Sequence, residues 1–328
     1  MDEGKEAQNT TFATLVSLID ATPPGERIRI TGNSFTFLPA ADALVAAHRR
    51  GVDVQVLLHR VSKQWSAYEV LRGGLGADPT SSSFVRATRG GLHQKVWSFS
   101  RTADVDDVVA LGSMNLTYQS ARQYTDVALF TRRPDLLRVL DRRFEQLRRE
   151  LPDVGTMSSA RLPGLMLWFY PGFDQDSDPV RVALEDVPAS GARIRIAMYA
   201  WLDGRGIDLA RLLAAKAAAG AEVEVFLGPS VGARPRQILE ESRVEVYDAV
   251  FENGQDIHLK LTTLTWPDPT APRGRRWRVL TGSDNYTSKS LERPEVLVGL
   301  DGHAVFRRYQ GLLDALVRRA VREGQRAR

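Results

Sequence analysis

The sequence predicts an α/β fold in which one unit occurs twice. The tetrapeptide Arg27-Ile28-Arg29-Ile30 returns unchanged as Arg193-Ile194-Arg195-Ile196, 166 positions later. In both places this alternating strand pattern leads into an alanine-rich helix pattern, and a second alternating strand follows Gly51 or Gly220. A strand, a helix and a strand in that order indicate parallel strands with the helix packed on the sheet. We therefore infer an internal duplication of one α/β unit.

A pair of short motifs is duplicated with the fold. His-x-Lys occurs as His93-Gln94-Lys95 and as His258-Leu259-Lys260. Each copy is followed by Gly-Ser-x-Asn, first as Gly112-Ser113-Met114-Asn115 and then as Gly282-Ser283-Asp284-Asn285. The chain holds only five histidines and six lysines, so roughly a tenth of one His-x-Lys is expected by chance. Two unrelated surface histidines do not explain this pattern.

The residue types in the motifs suit an anionic phosphate. On a strand, alternate residues share a face, so the imidazole and the ammonium lie together. Lysine, asparagine and the neighbouring Ser113 or Ser283 can donate hydrogen bonds to phosphoryl oxygens. With two such sets, one histidine can act as nucleophile and the other as general acid. A nucleophilic histidine needs an acidic partner, and Asp126 and Glu295, 11 and 10 positions after the motif asparagines, are the candidates.

Both motif pairs together resemble the phospholipase D superfamily, in its two-repeat, single-chain form. The resemblance covers residues 27–149 and residues 193 to the C-terminal helix. It implies two tandem phospholipase D-like α/β/α sandwich repeats with mixed sheets, packed around a pseudo-two-fold active site. It also implies a metal-independent phosphodiesterase without a cofactor. By that resemblance His93 forms a phosphohistidine, His258 does the acid–base work, and water or another alcohol resolves the intermediate.

One part of the family motif is missing. The family has an aspartate five positions after the lysine, where this chain has Ser100 and Thr265. In the family that aspartate supports the fold more than it touches the phosphate, so we expect activity, with a degenerate phosphate-binding protein as the alternative. Asp284 lies inside the second Gly-Ser-x-Asn, and a carboxylate there is unfavourable to a phosphate unless it points away.

The substrate class is harder to predict, because a phospholipid and a nucleic acid present the same phosphate. The apolar run Leu165–Phe173 favours a phospholipid or a small phosphodiester at an apolar mouth, and a nuclease is the alternative. Tyr199 and Trp201 follow the first strand of the second repeat, where loops tend to line the ligand crevice. They either flank the substrate or pack in the core. The loop Trp266–Trp277 is basic and aromatic, and we expect it at the far end of its hairpin as a remote docking patch.

The remaining expectations concern organisation. We expect a first repeat over residues 1–150, a connection over 151–178 rich in Pro, Gly, Ser and Asp, and a second repeat over 179–328. The absence of cysteine excludes disulfides and thiolate sites. No apolar run reaches the roughly 18 residues of a membrane span. No signal peptide pattern is visible, which predicts a cytoplasmic protein, or a secreted one if a leader has been removed. A monomer suffices, since one chain supplies both motifs.

Overall fold

Both copies of the Arg-Ile-Arg-Ile tetrapeptide lie on inner strands of mixed sheets in the computed structural model, which describes residues 3–150 and 158–326. The chain divides into two compact units, residues 1–157 and 158–328. The confirmed fold class is thus a mixed α/β chain with two similar sheets.

The first unit contains a mixed sheet between helices. Its helices are α1 (Glu3–Asp20), α2 (Leu38–Arg49), α3 (Ser66–Leu75) and α4 (Pro134–Arg149). Its strands are β1 (Arg27–Gly32), β2 (Asp53–Leu58), β3 (Phe84–Ala87), β4 (Val96–Thr102), β5 (Val105–Gly112), β6 (Gln123–Tyr124) and β7 (Val127–Phe130). Within residues 3–150, six of these strands form one sheet in the order β3-β2-β1-β4-β5-β7. β1 runs parallel to β2 and antiparallel to β4, as the strand-helix-strand pattern predicts.

Alternation along β2 explains the layers of the first unit. Val54 and Val56 belong to the large apolar cluster that includes residues of α1, α2 and α3. Leu57 points the other way and belongs to a smaller cluster with Phe84 and with Phe144 of α4. Since successive strand residues face opposite sides, the sheet is covered by helices on both faces. This is the predicted α/β/α sandwich.

The second unit repeats this plan and adds two strands. Its helices are α5 (Pro179–Glu185), α6 (Asp203–Ala218), α7 (Ala233–Glu240), α8 (Ser288–Leu291) and α9 (His303–Arg322). Its strands are β8 (Ser159–Leu162), β9 (Leu165–Tyr170), β10 (Arg193–Trp201), β11 (Glu222–Val231), β12 (Glu245–Asp248), β13 (Asp256–Ile257), β14 (Lys260–Pro267), β15 (Arg275–Gly282) and β16 (Glu295–Asp301). Within residues 158–326, eight strands form a sheet in the order β12-β11-β10-β14-β15-β16-β9-β8. The six strands from β12 to β16 correspond one to one to the first sheet.

The repeated arginine joins each sheet to the last helix of its unit. Arg29 on β1 contacts Asp141 at 2.9 Å and Glu145 at 2.6 Å, both on α4. Arg195 on β10 contacts Asp314 on α9 at 2.7 Å, and its side chain is 1% exposed. A buried arginine is stable only when its charge is compensated, so these carboxylates are needed where they lie. Arg29 and Arg195 therefore have a structural role.

The predicted connection over 151–178 is wrong for residues 158–178. These residues supply β8 and β9, and β9 pairs antiparallel with β16. The Pro, Gly and Ser residues that suggested a loop lie between and after the strands. Residues 151–157, the rest of the predicted connection, lie outside the described residues.

This correction also removes the predicted apolar mouth. Leu165, Leu167, Phe169 and Tyr170 are buried on β9, inside the second sheet. Their side chains cover the core of the second unit, so the run Leu165–Phe173 is not an exposed apolar loop. The reason for preferring a lipid substrate therefore does not hold.

Candidate functional site

Each His-x-Lys lies at the beginning of a strand and has the same local fold. β14 begins at Lys260, whereas β4 begins at Val96, one residue after Lys95. The ammonium of Lys95 donates to the carbonyl of His93 at 2.5 Å, and that of Lys260 donates to the carbonyl of His258 at 2.7 Å. Each lysine thus folds back over its own histidine, and all four residues are buried.

The hairpin that follows brings the second motif beside the first. In the first unit Val96 pairs with Leu111, which places Gly112 next to Lys95. In the second unit Thr262 pairs with Leu280, which places Gly282 opposite Lys260. Both motifs of a unit therefore lie at the same end of their sheet.

Glycine is required at the start of Gly-Ser-x-Asn because the next strand comes very close. A Cβ atom on Gly112 would lie 2.2 Å from the carbonyl oxygen of Asp126, and one on Gly282 would lie 2.2 Å from that of Val296. Gly282 also has a φ of 141°, which side chains rarely adopt. The close approach lets the following serine bond to the neighbouring strand.

The two motif serines hold the turn. The hydroxyl of Ser113 donates to the carboxylate of Asp126 at 2.5 Å and accepts from its backbone N–H at 2.9 Å. The hydroxyl of Ser283 accepts from the N–H of Val296 at 3.0 Å. The Ser113 proton is thus directed to a carboxylate, which favours a supporting role over donation to a phosphate.

These bonds correct the expected equivalence of Asp126 and Glu295. The N–H of Ser113 donates to the carbonyl of Asp126 and that of Ser283 to Val296, so Val296 is the counterpart of Asp126. Glu295 lies one position earlier, and a shift of one residue turns a strand side chain to the opposite face. Its carboxylate accepts from Ser290 at 3.2 Å and Arg293 at 2.9 Å. The roles of both acids toward the histidines stay predictions.

The motif asparagines share an unusual feature. Within residues 3–150 and 158–326, the buried Oδ1 atoms of Asn115 and Asn285 have no hydrogen-bond partner. Buried polar atoms without partners are rare in folded proteins and call for an explanation. The same atom is left over at the same motif position in both units, which indicates a shared requirement at this end of the sheet.

The two candidate aromatic residues, Trp201 and Tyr199, lie in different environments. Trp201 is fully buried, packs edge-on against Tyr286 at 4.9 Å and donates to the carbonyl of Gly206 at 2.6 Å. It is a core residue, so the prediction that it binds substrate is wrong. Tyr199 is half-buried instead, and its ring centre lies 4.4 Å from that of His258 and 4.6 Å from the ammonium of Lys260.

The first unit has no aromatic residue at the position equivalent to Tyr199. The bridges Phe35 to Leu116 and Trp201 to Tyr286 are equivalent, so Asn33 holds the position of Tyr199 in the first unit. The cation beside the Tyr199 ring is the ammonium of Lys260, which also lies 3.2 and 3.3 Å from the two ring nitrogens of His258. An aromatic face next to a cation is attractive, so Tyr199 helps to hold this lysine against its histidine.

Asp284 points away from the motif into a buried charge network. Its carboxylate accepts from Arg205 at 2.7 and 2.9 Å and from the hydroxyl of Tyr170 at 3.2 Å. Arg205 also bonds to Asp178 at 2.8 and 2.9 Å and to the carbonyl of Asn285 at 2.7 Å. Burial raises the pKa of Asp284 to about 6, although Arg205 opposes this shift.

This network fixes the turn that carries Asn285, and sequence reasoning missed it. In the first unit the equivalent of Asp284 is Met114, which lies in the apolar cluster. A charge at a position that is apolar in the other repeat was the only sequence signal, and its partner Arg205 lies far away in sequence.

The two positions that lack the family's aspartate, Ser100 and Thr265, are far from the His-x-Lys motifs. Ser100 is five residues beyond Lys95 along β4, a separation of about 17 Å at the usual rise per residue. Its hydroxyl donates to Glu26 at 2.6 Å and accepts from the N–H of Arg27 at 2.7 Å. Thr265 lies at the equivalent place opposite Arg193. Both substitutions therefore affect the opposite end of the sheet.

Two further observations hold for the part of the chain that the structure describes. Its His, Asp and Glu side chains form no group of three or more that could hold a metal ion. Its helices include none with the length and apolar character needed to cross a membrane.

Comparison with known proteins supports the resemblance. Residues 15–148 match the family model described as "Cardiolipin synthase, PLD-like domain". A search of curated protein sequences gave no match. Among solved structures, a phosphatidylserine synthase from Haemophilus influenzae Rd KW20 has a TM-score of 0.63 at 13% identity, covering 95% of this chain and 84% of that chain.

A polyphosphate kinase from Porphyromonas gingivalis has a TM-score of 0.58 at 15% identity, covering 92% of this chain and 47% of that chain. The present chain thus spans about half the length of that kinase. At such identities these two likenesses show the fold alone. The family match lies in the first unit, and the second unit repeats the order of its strands and both of its motifs. Residues 15–148 are thus similar to a PLD-like domain.

Proposed function

We propose that the protein is a phosphodiesterase that breaks a P–O bond through a phosphohistidine intermediate. The observation that carries this proposal is the duplicated arrangement of His-x-Lys beside Gly-Ser-x-Asn, in which each buried lysine folds over its histidine. Two lysines can supply positive charge to a phosphate, and the amide NH2 groups of the two motif asparagines can donate hydrogen bonds to its oxygens. Each unit contributes one histidine, so the reaction needs both.

In the proposed reaction His93 attacks phosphorus. A P–N bond forms, the P–O bond to the leaving alcohol breaks, and His258 gives its proton to the leaving oxygen. Water then attacks phosphorus, the P–N bond breaks, and the proton from water returns to His258.

The substrate class is proposed at the level of a phosphodiester. The buried position of β9 removes the reason for preferring phospholipid over nucleic acid. Incubation with phosphatidylcholine vesicles and with single-stranded DNA, at low and physiological salt, distinguishes the two, since non-specific DNA contacts weaken steeply with salt.

Turnover of bis(p-nitrophenyl) phosphate in the presence of EDTA tests the function. We expect the wild type to release p-nitrophenolate, and His93→Ala to lose about 1,000-fold or more in rate. His59→Ala, at a histidine that caps a 3-10 turn through the N–H of Val61, is the matched control and should keep the rate. Unchanged release by His93→Ala would refute the enzymatic proposal, and activity that EDTA abolishes would refute the metal-independent mechanism.

A further inference from the structure

The second unit has a pocket at the end of its sheet that is remote from the His-x-Lys motif. It has a volume of about 320 Å³ and lies between the loop that joins β14 to β15 and the start of α9. This volume is within the range of small-molecule sites. The residues that matter for its chemistry are Trp266, Trp277, His303, Arg273, Arg275 and Arg276.

The pocket has an excess of positive charge. Arg276 is neutralised by Asp268 at 2.5 Å, and Asp301, also in the lining, is neutralised by Arg278 at 2.7 Å. Within residues 158–326, neither Arg273 nor Arg275 has a carboxylate partner.

The polar contacts recorded for these two arginines are with neutral groups. Arg275 donates to the carbonyl of Gly191 at 3.0 Å and to the hydroxyl of Thr265 at 3.4 Å, and Arg273 lies 3.3 Å from a ring nitrogen of His303. Two guanidinium groups without a counter-charge fit a dianion such as a phosphate monoester.

The other walls are aromatic. The rings of Trp277 and His303 meet edge to face with centres 4.9 Å apart, and both residues are only half-buried. Trp277 pairs with Thr265 and Trp266 with Arg276, so Trp277 shares the face of Arg275, whereas Trp266 lies on the other face and packs against the apolar core. Indole rings stack on nucleic-acid bases whatever the base, because every base has a π face. The pocket therefore combines anion recognition with a planar aromatic surface.

This pocket is separate from the His-x-Lys motif. Trp266 lies six residues beyond Lys260 along β14, a separation of about 20 Å at the usual rise per residue. A ligand here does not contact the motif of its own unit, so the pocket has no part in the proposed bond cleavage.

We propose that this pocket binds a nucleoside phosphate, with the base against the indole ring of Trp277 and the phosphate on Arg273 and Arg275. A free mononucleotide presents this group, and so does a nucleotide within a single strand of nucleic acid. In the first case the pocket is a separate nucleotide site, and in the second it holds a strand at a distance from the motif.

Calorimetric titration of the full chain tests the proposal. We expect AMP to bind, and adenosine and ribose 5-phosphate to bind at least ten-fold more weakly, since each lacks half of the recognised group. Arg273→Gln/Arg275→Gln should weaken AMP at least ten-fold, while Arg211→Gln, an exposed arginine on α6, should have no effect.

An octanucleotide that binds at least ten-fold more tightly than AMP, with the same loss in the double variant, identifies a strand as the ligand. Equal affinities identify the free nucleotide. No binding of either at millimolar concentration, or binding that the double variant retains, would overturn the proposal. Turnover of bis(p-nitrophenyl) phosphate should be unchanged in the double variant, so this test stands apart from that of the proposed function.

Discussion

The buried network around Arg205 allows the most direct test of what holds the second Gly-Ser-x-Asn in place. Arg205 is 1% exposed and donates to two carboxylates, Asp178 and Asp284, that are equally buried. Replacing it with methionine leaves two buried carboxylates without a counter-charge. Removing one partner of a buried ion pair typically costs about 3–5 kcal/mol, so we expect Arg205→Met to lower the free energy of unfolding by that amount.

A double-mutant cycle separates the ion pair from the loss of packing. Asp284→Met copies Met114 of the first unit and removes one of the two carboxylates that Arg205→Met leaves without a counter-charge. The double variant Arg205→Met/Asp284→Met should therefore cost about 2 kcal/mol less than the sum of the single variants. Urea unfolding followed by circular dichroism and tryptophan fluorescence measures each value.

The control for this cycle is Arg211→Met on the same helix. Arg211 is 61% exposed and pairs with Asp208 at 3.4 Å, so its loss should change stability by less than about 0.5 kcal/mol. Strict additivity in the cycle, or a change under 1 kcal/mol for Arg205→Met, would refute the reasoning.

Three further predictions concern the motifs. Gly282→Ala should destabilise the protein by about 3 kcal/mol or more because its Cβ would lie 2.2 Å from a carbonyl oxygen, whereas Gly90→Ala, in open space, should be neutral in thermal melting. Tyr199→Asn, which copies the first unit, should lower kcat about five- to ten-fold with little change in KM, since a cation–π contact is worth about 1 kcal/mol. Tyr199→Phe keeps the aromatic ring and should restore kcat. A larger effect on KM than on kcat would indicate substrate binding instead. Ser100→Ala should keep kcat within about two-fold, given its distance of about 17 Å from Lys95, and a ten-fold loss would show that this position does matter to the chemistry.

The duplication and the motif geometry were predictable because they follow from local pattern. The repeat of Arg-Ile-Arg-Ile identified equivalent strands, and the hairpin after each His-x-Lys has strands that alternate clearly. Their pairing then places Gly112 beside Lys95 and Gly282 beside Lys260.

Features that depend on pairing between distant segments were not predictable. Because Pro and Gly flank Leu165–Tyr170, the sequence predicts a loop there, and only the pairing with β16 shows this segment to be the strand β9. The sequence places Trp201 just after its predicted strand, where ligand residues are common, but Trp201 is the last residue of β10 and the core of the second unit surrounds it. Arg205 gave no signal because its two partners, Asp178 and Asp284, are each far from it in sequence.

The central claim is that His93 carries the phosphoryl group, and trapping the intermediate tests it most directly. In His258→Ala the good leaving group p-nitrophenolate needs no acid, whereas hydrolysis of the P–N bond lacks its base, so the adduct should accumulate. After an alkaline quench and proteolysis, mass spectrometry should find a histidine that carries the p-nitrophenyl phosphoryl group in the peptide that contains His93, and none in His93→Ala. A phosphorylated His258 in His93→Ala, or turnover by the wild type with no adduct in either variant, would contradict the claim.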